Sequence, residues 1–161
     1  MTEPRWLDDH EMRLWRAFVE VCGGVMQELD AALKADADLR LDDYEVLVHL
    51  SEAPEQRLRM TELSSRLLHS QSRVTQRVDR LAGRGLVARE KCEDDRRVTY
   101  AVLTAAGLGA IRAAAPDHVT QVRRHLLDHV TGEEREALVA ALERVALHLR
   151  VAEGVRAQHV R

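Results

Sequence analysis

The most constraining feature of this sequence is its centre, where a helix-break-helix pattern runs from Thr61 to Gly83. Thr61 stands at the position of an N-cap, and Leu63 and Leu67, four residues apart, indicate the inward face of a short first helix. A break at His69 and Ser70 separates it from a second helix. The inward face of that second helix is predicted from apolar residues at spacings of four and three: Val74, Val78 and Leu81.

Two strand patterns follow this pair of helices. Gly85, in the stretch AGRGL, is placed to end the second helix in a left-handed conformation. The stretches LVARE and VTYAVLT then alternate, and KCEDDR between them is a polar turn. The stretch RLRM, from Arg57 to Met60, is long enough for one edge strand. Two helices joined by a turn and followed by a two-stranded hairpin make a winged helix.

Long helices are predicted on both sides of this centre. From His10 to about Leu33, apolar residues recur every three to four positions, which is typical of an amphipathic helix. A further helix fits Leu41 to Ala53, ended by Pro54. The segment from Thr104 to about His129 is also helical in pattern, but Pro116 is expected to kink or break it.

The last helix completes the predicted fold. Thr131 and Glu134 form a capping-box pattern that opens it. Its apolar stripe consists of Leu138, Leu142, Val145 and Leu149. The fold class is therefore mainly α with a small β-hairpin wing, a winged helix-turn-helix lobe flanked by terminal helices typical of a dimerisation unit. We expect one domain over residues 1–161, with flanking dimerisation helices at 5–36 and 105–153, the lobe at 41–104 and a C-terminal tail at 154–161.

Charge is distributed unevenly along the chain. Residues 57–100 carry 11 basic and 6 acidic side chains, whereas the formal net charge of the whole chain is −3. A basic centre between acidic flanks is typical of a protein that binds nucleic acid. A solvated arginine-rich helix face is the alternative interpretation, and charge alone does not separate the two.

Polar and cationic side chains occupy the face of the second helix opposite its apolar residues. Arg and Gln side chains reach base edges, and Ser and Thr hydroxyls suit phosphates or bases. The predicted DNA-contacting residues of this helix are Ser70, Ser72, Arg73, Thr75, Gln76, Arg77 and Arg80.

The stretch SQSRVTQRVDRLAGRGLVARE, followed by DDRRVTYAVLTAAG, resembles the multiple-antibiotic-resistance regulator (MarR) family. That family has a V-T-x-x-V-D-R-L recognition helix, a wing pattern D-x-R and then a strand, L-T and a helix. The flanking helices fit as well, so that the resemblance spans nearly the whole chain. One difference is that many members carry an arginine directly after the V-T pair, where this chain has Gln76 and then Arg77. We expect Gln76 to read a base and Arg77 to face a phosphate.

The resemblance implies a homodimer whose recognition helices enter successive major grooves of a pseudopalindromic double-stranded DNA operator. In the wing, Arg97 would enter a minor groove beside Arg96, and Asp95 would orient Arg97, because a carboxylate holds a guanidinium by paired hydrogen bonds. The expected function is that of a transcriptional regulator, most simply a repressor that a small-molecule effector releases from DNA.

The sensing function is less constrained by the sequence. The resemblance places a ligand pocket where the dimerisation helices meet the lobe, and Trp15, Tyr44 and His49 are candidates to line it. A redox-responsive regulator is an alternative, since Cys22 lies in the first helix and Cys92 in the wing beside Lys91. A zinc-responsive regulator is another. Its candidate ligands are His118, His125 and His129, although no cysteine or carboxylate completes an obvious set, and we predict no metal and no cofactor.

Other functional classes are disfavoured. The sequence has no nucleophile–base pair at a motif spacing, no glycine-rich phosphate loop and no CxxC, so we do not expect an enzyme. A winged helix that contacts only protein remains an alternative. The sequence lacks a run of about 18 apolar residues and a signal-peptide pattern, which favours a cytoplasmic protein without a membrane partner. In that reducing compartment we expect both cysteines to be free thiols.

Overall fold

We describe the protein from a computed structural model that covers residues 3–158, with side chains through Val151. The described chain is mainly helical, with one small antiparallel sheet. No helix of the described residues is long and apolar enough to cross a membrane. The elements are α1 (Asp9–Ala37), α2 (Leu41–Ser51), β1 (Arg57–Arg59), α3 (Met60–Leu67), α4 (Gln71–Gly83), β2 (Val87–Lys91), β3 (Thr99–Leu103), α5 (Ala105–His125) and α6 (Gly132–Gln158), with short 3-10 turns at Pro54–Gln56 and Leu127–His129.

The core lies under α2, α3 and α4, and the sheet closes one side of it. The predicted inward face of α4 is confirmed, because Val74, Val78 and Leu81 are completely buried. Leu63 of α3 is also completely buried, and Leu67 is 9% exposed. Residues of α2 complete this core: Val46, Leu47 and Leu50.

The sheet has the strand order β1-β3-β2, and both pairs are antiparallel. The predicted edge strand and hairpin are therefore confirmed, with bounds that differ by one or two residues. Gly85 adopts a φ of +72° after α4, as predicted. A Cβ atom at Gly107 would lie 2.1 Å from the Leu86 carbonyl oxygen, so that only glycine allows α5 to start this close to the hairpin.

Three boundary predictions are wrong. Helix α3 begins at Met60, and its N-cap residue Arg59 makes no side-chain capping bond, so Thr61 is not the cap. Helix α5 does not end at Pro116, where a kink or a break was predicted, because Ile111 and Ala114 bury one side of it and this packing outweighs the loss of one backbone hydrogen bond. Helix α6 continues to Gln158 in place of the tail predicted at 154–161, whose residues 159–161 lie outside the described residues.

Capping boxes open both flanking helices, and the one before α6 was predicted. Asp8 and Glu11 form a capping box at the start of α1, and Thr131 and Glu134 form one before α6. Both helices expose apolar side chains along much of their length. The larger of them are Leu14, Trp15, Phe18, Val19, Val21 and Met26 on α1, and Leu138, Val139, Leu142, Val145, Leu147, Leu149 and Val151 on α6.

Candidate nucleic-acid interface

The N-terminal half of α4 presents polar side chains to solvent. Ser70 caps the helix, because its Oγ accepts a hydrogen bond from the Arg73 backbone N–H at 3.4 Å. The Ser70 and Ser72 hydroxyls are 3.1 Å apart. Ser72, Arg73 and Gln76 are exposed, and Thr75 is half-buried. This end of the helix combines free backbone N–H groups, hydroxyls, an amide and a cation, which are the groups that bind phosphates and base edges.

The structure corrects the predicted orientation of Arg77. Its side chain is buried, and its Nη2 lies 2.6 Å from the Asp42 carboxylate on α2. Its Nη1 is also buried and has no hydrogen-bond partner among the described residues. Arg77 follows the inward face of α4, because residues 74, 77, 78 and 81 lie on one side of a helix. It therefore does not face a phosphate in this structure.

Arg80 is corrected in the same way. Its Nε and Nη2 donate to the two oxygens of Asp43 at 3.0 and 2.6 Å. The Asp43 carboxylate is 1% exposed, whereas the Arg80 side chain is 37% exposed. The hydrogen bond to Asp43 raises the pKa of Arg80, which favours the charged guanidinium. The guanidinium is thus held against α2, away from the outward face on which it was predicted.

Most basic residues of the central segment are engaged within the protomer. Arg84 pairs with Asp38, and Arg89 of β2 pairs with Asp79 of α4. Arg57 and Arg59 lie over the Tyr100 ring, with guanidinium carbons 5.1 and 6.0 Å from its centroid. Within the part of the chain that has described side chains, four basic residues of this segment have no ion-pair partner: Arg59, which contacts Tyr100, and Arg73, Lys91 and Arg96.

The wing carries a clamped arginine. The Nε and Nη2 atoms of Arg97 donate to the two Asp95 oxygens at 3.0 and 3.1 Å, and its backbone N–H donates to the same carboxylate at 3.0 Å. The Arg97 side chain remains 91% exposed. The Arg97 guanidinium lowers the pKa of Asp95, which stays ionised at neutral pH. The contact predicted between these two residues is present, and it points a preoriented cation into solvent beside Arg96.

The structure does not bring the three predicted pocket residues together within one protomer. Trp15 is 55% exposed and stacks on Phe18. It lies about 22 Å along α1 from Asp30, which contacts the start of α2. Tyr44 is buried against the His118 ring of α5, with 4.6 Å between centroids. His49 is half-buried on α2, and burial lowers its pKa.

The candidate sensor residues are dispersed. Cys22 and Cys92 are both free thiols of intermediate exposure, one in α1 and one in the wing. His125 contacts Gln121, and His129 contacts the Arg124 carbonyl oxygen. No group of three or more metal-ligating side chains occurs among the described residues, so the geometry gives the zinc alternative no support.

Two features of this surface were missed by sequence reasoning. Lys91 ends β2 at the wing and is exposed, which adds a cation to the two wing arginines. Its position as the first residue of the predicted polar turn KCEDDR was the available signal. Asp42 and Asp43 were not singled out, because acidic residues in the first turn of a helix are common and do not indicate a distant arginine partner.

The comparisons with known proteins agree with this architecture. A family model described as "MarR family" matches residues 37–98. The chain is similar to the crystal structure of Sco3205, a MarR family transcriptional regulator from Streptomyces coelicolor solved in complex with DNA. The identity is 39%, the TM-score is 0.86, and the match covers 89% of this chain and 90% of that one.

Two further relatives agree. The AbsC regulator of S. coelicolor, also of the MarR family, is 41% identical with a TM-score of 0.86, and the match covers 91% of this chain and 99% of that one. The HTH-type transcriptional regulator MhqR of Bacillus subtilis (strain 168) is 29% identical over 104 residues, which is 65% of this chain and 68% of that protein. The winged fold, the helix and wing motifs and these similarities lead to one conclusion: the chain belongs to the MarR family of transcriptional regulators.

Proposed function

We propose that this protein is a homodimeric regulator that binds a pseudopalindromic operator in double-stranded DNA and represses transcription from it. The observation that carries this proposal is the pairing of two exposed surfaces, the N-terminal half of α4 and the Asp95–Arg97 clamp of the wing. The DNA-bound state of the similar Sco3205 supports it. A regulator of chromosomal operators works in the cytoplasm, and we assign no catalytic role to it.

The exposed residues of α4 suggest a division of roles on DNA. Gln76 lies on the outward face and carries an amide that can pair with the N6 and N7 atoms of adenine in the major groove. Arg73 has no ion-pair partner among residues with described side chains, and Ser72 lies beside it, so we assign both to phosphates. Ser70 caps the helix, and we assign the remaining free backbone N–H groups of its first turn to a phosphate of the DNA strand that Arg73 contacts.

The wing provides the second contact. Arg97 is held by Asp95 and remains exposed, which suits insertion into a narrow minor groove where the negative potential is strong. Arg96 and Lys91 flank it and are assigned to the DNA backbone. Because most other arginines are neutralised within the protomer, we expect only a few phosphates to be contacted by each subunit, and the salt dependence to be correspondingly moderate.

Dimerisation is proposed from the apolar surfaces of α1 and α6. Leu142 and Val145 of α6 are 44% and 53% exposed, and Trp15 and Phe18 of α1 are 55% and 43% exposed. Such a large apolar surface marks an interface between subunits in soluble proteins. A two-fold axis through these helices presents two copies of α4 to successive major grooves, as a pseudopalindromic operator requires.

Membership of the MarR family supports control by a small molecule. A cavity of about 130 Å³ lies between α1 and α5, next to the Tyr44–His118 contact. Apolar cavities of about 150 Å³ admit a benzene ring. Asp36 and Asp117 contribute carboxylates to the lining, which disfavours anions. We therefore propose this cavity for an uncharged or cationic effector of about one ring, for which benzyl alcohol and benzoate form a probe pair that differs in charge.

Selection from random duplex DNA with the purified protein tests the function. We expect a pseudopalindromic consensus with half-sites about one helical turn apart, and an affinity for it that falls moderately as the salt concentration is raised. Weak binding to every sequence would contradict sequence-specific DNA recognition. In that case we would infer that the winged helix binds another protein. A release experiment with benzyl alcohol would then show no effect, since no DNA would be bound.

A further inference from the structure

The first turn of α2 contains a buried carboxylate that holds the recognition helix. Both Asp43 oxygens accept hydrogen bonds from Arg80, at 2.6 and 3.0 Å, and the Asp43 side chain is 1% exposed. An ionised carboxylate in such a site is stable only with its partner in place, because desolvation otherwise penalises the charge. The pair therefore permits one position of Arg80 relative to α2.

A second pair lies directly beside the first. Asp42 forms an ion pair with Arg77, whose Nη2 lies 2.6 Å from the carboxylate, and Arg77 precedes Arg80 by about one turn of α4. Two consecutive carboxylates on α2 thus grip two successive turns of α4. Together with the completely buried Val74, Val78 and Leu81, these two contacts fix the rotation of α4 and its position along its axis relative to α2.

The next residue connects this grip to α5. Tyr44 is 6% exposed, and its ring packs against that of His118 with centroids 4.6 Å apart and planes inclined by 50°. Helix α5 packs against α1, whose exposed apolar surface we assign to the dimer interface. Asp42, Asp43 and Tyr44, here called the α2 strut, therefore lie between the recognition helix and the dimerisation helices.

We infer that the α2 strut sets the separation of the two recognition helices in the dimer, with Asp43 as a positioning residue that determines which half-site spacing the protein accepts. This inference rests on the proposed function, because it requires two recognition helices on one DNA molecule. Asp43 does not contact DNA. It acts through Arg80, whose guanidinium transmits the position of α2 to the middle of α4.

The test uses the full-length protein and its selected operator in three versions, with the natural spacing and with one base pair added or removed between half-sites. One base pair changes the separation by about 3.4 Å and rotates one half-site relative to the other. We expect the parent to lose at least about tenfold in affinity on either altered operator. In Asp43→Asn, which keeps the shape but loses the charge, we expect that penalty to fall to less than about threefold.

Two further variants separate positioning from general stability. Arg80→Met should relax the spacing preference to the same degree, and the double variant Asp43→Asn with Arg80→Met should add nothing, since both changes break one contact. Asp38→Asn is the matched control. It breaks the ion pair of the 96% exposed Asp38 with Arg84, and asparagine tolerates the left-handed backbone at this position, so the parent's discrimination should persist.

Two outcomes overturn the inference. If Asp43→Asn binds all three operators more weakly by one common factor, Asp43 serves stability alone, and the proposed function stands. If the parent selects no operator, the inference falls together with the proposed function. If Asp43→Asn shows no cooperative thermal transition, it is not folded, and Arg80→Met replaces it in the test because Arg80 is partly exposed. Unchanged discrimination between the three operators in Arg80→Met would refute the role of the strut.

Discussion

Arg77 of the recognition helix lies inside the protomer, with its Nη2 2.6 Å from the Asp42 carboxylate. The Arg77 side chain is 7% exposed, whereas that of Asp42 is 57% exposed. An arginine in the middle of a DNA-reading helix is easily taken for a phosphate ligand. Here it is a part of the scaffold, and one of its terminal nitrogens has no hydrogen-bond partner within the described residues.

Replacement of Arg77 and of Asp42 should therefore have unequal effects on stability. Arg77→Met removes a buried cation with an unsatisfied nitrogen, and we expect the free energy of unfolding to change by less than about 1 kcal/mol. Asp42→Ala leaves that cation buried without its partner and should lower the free energy of unfolding by about 1–3 kcal/mol. Urea denaturation of both variants measures the difference. Equal destabilisation by the two variants would show that the Arg77–Asp42 ion pair stabilises the fold by more than the apolar contacts of methionine at position 77.

Two variants of the Asp95–Arg97 clamp should both lower the operator affinity, but only one of them should change the salt dependence. Arg97→Ala should weaken operator binding and reduce the slope of log K against log salt by about one per subunit, because a cation is lost from the groove. Asp95→Asn keeps the cation but loses its orientation, so that affinity falls while the slope is retained. Titrations at three or more salt concentrations distinguish the two variants. An unchanged slope in Arg97→Ala would remove the wing from the interface.

Gln76 is expected to read a base. Gln76→Ala should relax the preference at one position of each half-site and cost about 1–3 kcal/mol of discrimination there, with the remaining consensus intact. Arg73→Ala is the matched comparison on the same exposed surface, and it should weaken binding to all sequences alike. Selection from random DNA with each variant makes the comparison. The same consensus from Gln76→Ala and the parent would show that Gln76 is not a reader.

Local patterns predicted what depends on nearby residues. The spacing of Val74, Val78 and Leu81 predicted the buried face of α4, because a helix repeats its faces within one turn. The resemblance to the MarR wing pattern D-x-R predicted that Asp95 orients Arg97, two residues away. In both cases the interacting residues are a few positions apart, so a short sequence motif includes both of them.

Contacts between distant residues were not predicted. The Arg80–Asp43 pair joins residues 37 positions apart, and no local pattern indicates which face of α4 meets α2 at that point. The predicted break at Pro116 failed for a related reason, since the packing of Ile111 and Ala114 overrides a local preference. Helical periodicity indicates which face of α4 carries Arg80, but only the tertiary structure shows that the Asp43 carboxylate of α2 contacts it.

The apolar stripe of α6 gives a prediction about assembly. Leu142→Glu places a charge within the proposed dimer interface, at a position that is 44% exposed in the protomer, and should shift the protein toward a monomer with strongly reduced operator affinity. Ala140→Glu adds the same charge on the opposite face of α6 and should remain dimeric. Light scattering at several concentrations measures both. A monomeric parent, or a dimeric Leu142→Glu, would contradict the assignment of this surface.

His118 gives the stability a dependence on pH. Burial lowers its pKa in the folded protein below the ordinary value of 6.5, so that the unfolded chain binds more protons once the pH falls below neutrality. The free energy of unfolding is therefore not reduced by His118 above about pH 7, and it declines as the pH falls below the ordinary pKa of 6.5. His118→Phe keeps a ring against Tyr44 and removes the titration, so its decline should be shallower than that of the parent. Urea midpoints at pH 7, 6 and 5 test this, with His10→Gln on the exposed first turn of α1 as the control. Because burial also lowers the pKa of His49, part of the decline should remain, and a curve for His118→Phe parallel to that of the parent would assign the pH dependence to other groups.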